Sequence, residues 1–308
     1  MFKTLAFATV FTSVVLAQNT TSSTNPLIPT GISDSCTTFY KNLDTDSTFG
    51  TCLKSLNSAT TAFSPGGTGT VSKASVSSTL TTLCADTVSG ACPESLIRTT
   101  LTNFYTSCSP ELTGASKNAQ VVQFYETLYL LSPMRTSICA KDDSGDYCVF
   151  SSQGTAKEQS SDVSLASLMG PLFSSAGALK RRAATAVVPN LQTYHDKNIA
   201  FLYYTPSLDA PTLCTACARQ VVTAYMNFES NVAYTPGVDN SQILVNQQPL
   251  IDAINGKCPA GFLNGAVQAA GGLSGGYLSS SAAVPSVSSG RQTVLALAMG
   301  LAAIVSFF

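Results

Sequence analysis

Cys214-Thr215-Ala216-Cys217 is the most reactive spacing in the chain. At a helix N-terminus, the first cysteine of such a pair gains thiolate stabilisation from the helix dipole, the basis of thiol–disulfide exchange. That chemistry normally follows a strand in a βαβ unit, and no strand pattern precedes Cys214. With eight other cysteines in the chain, the spacing predicts instead that each thiol bonds to a different, distant partner. A zinc site needs a second ligand pair, whereas the chain adds only Cys258 and the lone His195. No metal and no other cofactor is expected.

A Ser or Cys nucleophile would have to use His195, the single histidine. Gly272-Leu273-Ser274-Gly275-Gly276 matches G-x-S-x-G formally, yet no strand precedes it and the histidine comes before the serine. Hydrolases with that elbow place the histidine after it. The match reads as chance, and His195 as a surface or partly buried polar residue. Asp142-Asp143-Ser144-Gly145-Asp146 resembles the start of a calcium loop. Its glycine falls one position early and no glutamate closes it, so a turn closed by Cys139 and Cys148 fits better. Scattered acids assign no carboxylate pair for glycoside hydrolysis, and the chain has no Trp for sugar stacking. Tyr125, Tyr129, Tyr203, Tyr204 and Tyr225 could supply aromatic faces, but at helical spacing they are expected to be core or half-buried. No catalytic residue is assigned.

The two ends read as address labels. Residues 1–17 carry Lys3, an apolar stretch from Leu5 to Leu16 and a small terminal residue, the build of a secretory signal peptide. At the other end, Val294 to Phe308 is apolar, with a Ser-rich spacer before it and small residues from Ser279 to Ala283 ahead of that. This is the pattern of a GPI-attachment signal. The tail is shorter than the roughly 20 residues of a spanning helix, is interrupted by Gly300 and ends without a basic residue after it. Ser281 is the expected attachment residue, with Ser280 nearly as suitable. The reading is a cell-surface protein held to the outer leaflet by a GPI lipid, with cell-wall polysaccharide or surface proteins as partners.

Composition agrees with that setting. Charged residues are 11% of the chain and the formal net charge is −1, so no basic patch could neutralise a row of phosphates. Nucleic acid is not an expected partner. Ser and Thr make up about a quarter of the chain and take over the solubilising role. Asn19-Thr20-Thr21 is the single N-glycosylation sequon. The ten cysteines are Cys36, Cys52, Cys84, Cys92, Cys108, Cys139, Cys148, Cys214, Cys217 and Cys258. An even count in an oxidising compartment predicts five disulfides. Ten cysteines allow about nine times the 105 pairings open to eight. Placement across short turns suggests Cys36 with Cys52, Cys84 with Cys92, and Cys139 with Cys148.

These residues must be positioned mostly by helices. Pro93-Glu94 opens one whose apolar face runs through Ile97, Leu101, Phe104, Tyr105 and Cys108. A second spans Asn118 to Leu131 and is expected to stop at Pro133. A third runs from Leu213 to about Phe228, capped by Asp209 or Thr212. Shorter helices are expected over Gln247 to Asn255 and Pro259 to Ala269. Asp44-Thr45-Asp46 reads as a turn between two helices. No stretch has the period-2 alternation of a multi-stranded sheet. The predicted fold is all-α, a disulfide-stapled helical domain with a long flexible internal loop.

Organisation follows as a signal peptide over 1–17, a Ser/Thr-rich N-terminus over 18–32, a first cysteine-rich helical part over 33–150, a linker or loop over 151–189, a second cysteine-rich helical part over 190–272, a stalk over 273–281 and a removed propeptide over 282–308. The linker holds Lys180-Arg181-Arg182, where a dibasic protease would cut after Arg182.

The cysteine framework, with Asp142 to Cys148, Leu213 to Cys217 and Gly265 to Gly272, resembles fungal secreted, GPI-anchored surface proteins carrying a cysteine-rich domain of unknown function. The likeness covers roughly residues 33–273. It implies a fungal cell surface and supplies no activity, substrate or catalytic residue. The expected function is structural, adhesive or binding, against the alternatives of a wall-polysaccharide enzyme or a CxxC thiol oxidoreductase.

Overall fold

A computed structural model of the chain describes residues 28–63, 73–150, 173–175 and 187–263. The expected signal peptide, Asn19, Lys180-Arg181-Arg182, Ser274 and Ser281 lie outside them. The fold is helical, as its sequence pattern predicts. Ten α-helices are described: α1 Asp34–Thr45, α2 Ser47–Thr60, α3 Lys73–Leu83, α4 Asp86–Ala91, α5 Glu94–Leu112, α6 Ala119–Cys139, α7 Leu191–Lys197, α8 Ala210–Leu213, α9 Ala216–Asn231 and α10 Gln247–Lys257. The strands among the described residues are β1 Phe173–Ser175 and β2 Val187–Pro189, a short antiparallel ribbon.

Local chemistry starts many of these helices. Ser33, Asp46, Asn118, Asn190, Asp209 and Thr215 each accept a hydrogen bond from a backbone N–H in the first turn that follows. Such caps satisfy donors that have no intrahelical partner and contribute about 1 kcal/mol each. Asp46 also ends α1, so the predicted turn between α1 and α2 is a single residue deep.

The centre of the molecule is α6, which packs against α5 on one side and α9 on another. It is buried on most of its circumference from Phe124 to Met134. This explains why the expected stop at Pro133 does not occur. Proline removes one backbone donor and crowds the preceding turn, at a cost of about 3 kcal/mol or more. Contacts on several faces of α6 hold both halves in line, and the helix continues to Cys139. In the other direction, the expected helix from Leu213 to Phe228 is split. Its Asp209 cap starts the four-residue α8, the backbone leaves helical geometry at Cys214 and Thr215, and Thr215 caps a new helix. Residues 259–263 form turns rather than the predicted helix, with Gly261 at φ 79°.

Helices from both sides of residues 151–189 share one hydrophobic core. Phe39, Tyr40, Phe104 and Phe124 form one aromatic cluster, and Tyr129, Phe228 and Tyr234 another, bridged by Tyr125. Tyr105, expected on the inner face of α5, is instead 38% exposed. Residues 198–204 enter the core as a tight plug, and Asn198, Leu202 and Tyr203 all adopt left-handed backbone. Leu202 and Tyr203 are unfavourable there, by about 1–3 kcal/mol each. The Tyr225 hydroxyl donates to the Ala200 carbonyl at 2.6 Å, and buried Phe201 and Leu202 anchor the plug.

All ten cysteines are oxidised, in pairs that none of the turn-spanning guesses identified. The bonds are Cys36–Cys108, Cys52–Cys92, Cys84–Cys139, Cys148–Cys217 and Cys214–Cys258. Cys36 does not reach Cys52 because α1 packs mainly along α5 rather than along α2. Cys84 meets α6 instead of Cys92, and Cys139 therefore cannot bond Cys148.

Candidate functional site

The CxxC cysteines are locked apart. Cys214, at the break after α8, bonds to Cys258, and Cys217, in the first turn of α9, bonds to Cys148. The two sulfurs tie the start of α9 and the break just before it to two separate segments and form no dithiol pair. His195 sits in the last turn of α7 with its side chain 40% exposed, and its Nδ1 lies 3.0 Å from Asp196 Oδ1. Both are surface groups. Asp142 Oδ1 accepts from the backbone N–H of Ser144 at 2.9 Å and of Asp146 at 3.0 Å. The acidic segment is thus a self-capped turn. It is closed by the Cys148 N–H donating to the Ala140 carbonyl, not by a Cys139–Cys148 bond. Tyr125, Tyr129, Tyr204 and Tyr225 are buried, in line with a core role.

Two buried carboxylates escaped sequence reasoning. Glu126 on α6 is fully buried, and its Oε1 accepts from the Ser241 hydroxyl and from the Ile243 N–H, the latter at 2.8 Å. Ser241 Oγ in turn accepts from Ile243 and Leu244 N–H. Burial raises the Glu126 carboxyl above its ordinary value, against these hydrogen bonds. Glu111 on α5 is 4% exposed, and its Oε1 accepts from the Ser33 N–H at 2.6 Å. Burial pushes that carboxyl up, but the Ser33 hydrogen bonds outweigh it and hold the group below its ordinary value. Each carboxylate ties a loop to a core helix. The available signal was an acid alone within an apolar run, as Glu126 is between Tyr125 and Leu131. Glu111 also lies within 4.8 Å of the Cys36 and Cys108 sulfurs, but their disulfide leaves no thiolate to bind a metal.

A groove of about 460 Å³ runs along α1 and α2. Helical spacing builds its long wall: Leu53 and Asn57 lie four residues apart on α2 with Thr61 just past its end, beside the row Gly50, Lys54 and Ser58. The α1 side contributes Tyr40, Leu43 and Asp44, and Phe124 of α6 reaches the floor. Tyr40, Phe49 and Phe124 are nearly covered, at 3%, 2% and 4% exposure, so they make a floor rather than projecting rings. Neither Glu111 nor Glu126 lines this groove. Its one carboxylate, Asp44, has no second carboxylate opposite it among the lining residues, so no acid–base pair for glycoside hydrolysis is assembled there.

No curated protein and no solved structure matches the chain. Residues 13–175 of the 308, just over half, match a family described as a domain of unknown function, DUF7729. That span holds both groove-forming helices and seven of the ten cysteines, and it ends before Cys214, well short of residue 273. The chain belongs to the DUF7729 family of domains of unknown function.

Proposed function

We propose that this chain is an extracellular, GPI-anchored protein of a fungal cell surface or wall, and that it works by binding rather than by catalysis. The observation that carries the reading is the closed cysteine network. Five disulfides with no free thiol among the described residues form and persist in an oxidising compartment. The expected signal peptide and attachment signal supply the route and the lipid. A thiol oxidoreductase is disfavoured because Cys214 and Cys217 each serve a separate structural bond.

Phospholipase treatment of intact cells expressing the full chain tests the proposal. The expected result is release of a soluble form that lacks residues 282–308. Retention in the membrane fraction, with the C-terminal peptide still detected by mass spectrometry, would refute it.

A further inference from the structure

We propose that the disulfides form one covalent strap that carries tension across the domain, so that the protein serves as a tether of limited stretch between its membrane end and its outer surface. The tether role rests on the anchored reading, whereas the strap itself does not. Its course is set by the order of the bonds. Cys258 bonds to Cys214, and Cys217, three residues further on, bonds to Cys148. Cys139, nine residues before Cys148, bonds to Cys84. Eight residues after Cys84 comes Cys92, bonded to Cys52, and Cys36 lies 16 residues before Cys52. The path from Cys258 to Cys36 therefore crosses four disulfides and hops of 3, 9, 8 and 16 residues, 36 in all, where the backbone takes 222. The turns expected to be closed by disulfides are the hops of this path, and the CxxC spacing is its shortest hop.

A stretched chain reaches at most about 3.3–3.6 Å per residue, so the hops allow roughly 120–130 Å. Cα–Cα distances of 4.3, 5.5, 5.2 and 5.3 Å across the four bonds add little. Without the bonds the same span would reach roughly 730–800 Å. Tension can thus draw out only about a fifth of the span between Cys36 and Cys258. Bonds closed across the turns would have left most of it free to extend. The hops are themselves compact: α4 lies within the one from Cys84 to Cys92, and the Cys148 N–H donates to the Ala140 carbonyl at 2.8 Å across another. The strap omits residues 149–213, so a cut after Arg182 would leave it unbroken.

The bonds are not equal in this role. Cys36–Cys108 offers a second route of the same length, because Cys108 also lies 16 residues from Cys92. Either Cys36–Cys108 or Cys52–Cys92 can be lost without lengthening the path. Cys148–Cys217 and Cys214–Cys258 lie in series with no bypass. Loss of the first adds 63 residues to the path and loss of the second adds 38.

Single-molecule stretching of the mature chain, held by handles at its two ends, tests the strap. The fully stretched oxidised protein is expected to be roughly 60 nm shorter than the same protein reduced with a phosphine. Cys148→Ala with Cys217→Ala should lengthen the oxidised form by roughly 20 nm, and Cys214→Ala with Cys258→Ala by roughly 13 nm. Cys36→Ala with Cys108→Ala should leave it within about 1 nm of the parent. Lengths are read on the stretched chain, so a variant that folds weakly still reports. An oxidised parent that stretches to the reduced length overturns the strap, as does a Cys36/Cys108 variant that lengthens as much as the Cys148/Cys217 one. A chain released from cells by phospholipase that stretches fully while oxidised loses the strap alone. One that stays short but is not released keeps the strap and loses the anchored tether.

Discussion

Replacing Cys148 and Cys217 together by alanine removes the one disulfide that joins the helices before residue 151 to those after residue 189. The bond closes a loop of sequence separation 69, and no other disulfide shortens that path. Loop-closure entropy for a loop of that length gives about 4 kcal/mol of stabilisation, exerted on the unfolded chain. Both sulfurs are buried, at 0% and 1% exposure, so the small voids left behind add to the loss. For a protein of this size, each 1 kcal/mol moves the melting temperature by about 2–4 °C, so a fall of roughly 10 °C is expected. Urea unfolding of the variant and the parent, both fully oxidised, measures the difference directly. A loss under about 1 kcal/mol at unchanged denaturant slope would refute the argument. Peptide mapping of the unreduced parent that paired Cys214 with Cys217 would refute the connectivity itself.

Two further outcomes follow from the same geometry. Burial raises the folded Glu126 carboxyl above its ordinary value, against the hydrogen bonds from Ser241 and Ile243. Its penalty is therefore absent below the unfolded value and grows as pH rises through the window between the unfolded and folded values. Stability should fall across that window, and Glu126→Gln should flatten the fall, which thermal unfolding across a pH series would check; an unchanged profile would sink the assignment. Cutting the chain after Arg182 with a dibasic-specific protease should leave one species on a non-reducing gel and two on a reducing gel, because Cys148–Cys217 spans the cut. Separation without reductant would contradict that bond.

Much of the helical layout was legible in local sequence. Pro93-Glu94 marked the start of α5, Asn118 the start of α6 and Gln247 the start of α10, because caps and apolar periodicity act within a few residues. The misreadings came where distant contacts overrule local preference. Pro133 is a helix stop in isolation and a mid-helix residue once α5 and α9 enclose it. Tyr105 has the right spacing for the core, but the inner face of α5 is rotated away from it. The groove could not be foreseen because its floor needs Phe124, far along the chain from α1 and α2.

By itself, the sequence determined an all-α chain whose ten cysteines would be closed in disulfides, because period, capping and cysteine count need no partner to be read. Only tertiary structure determined which sulfurs meet, since a disulfide requires two α-carbons brought within a few ångströms by packing of whole helices. The same packing buried Glu126 and Glu111, sent Cys214 and Cys217 to separate partners and opened the groove beside Gly50. Those outcomes depend on which faces of remote helices come together, and no local window of the sequence contains that information.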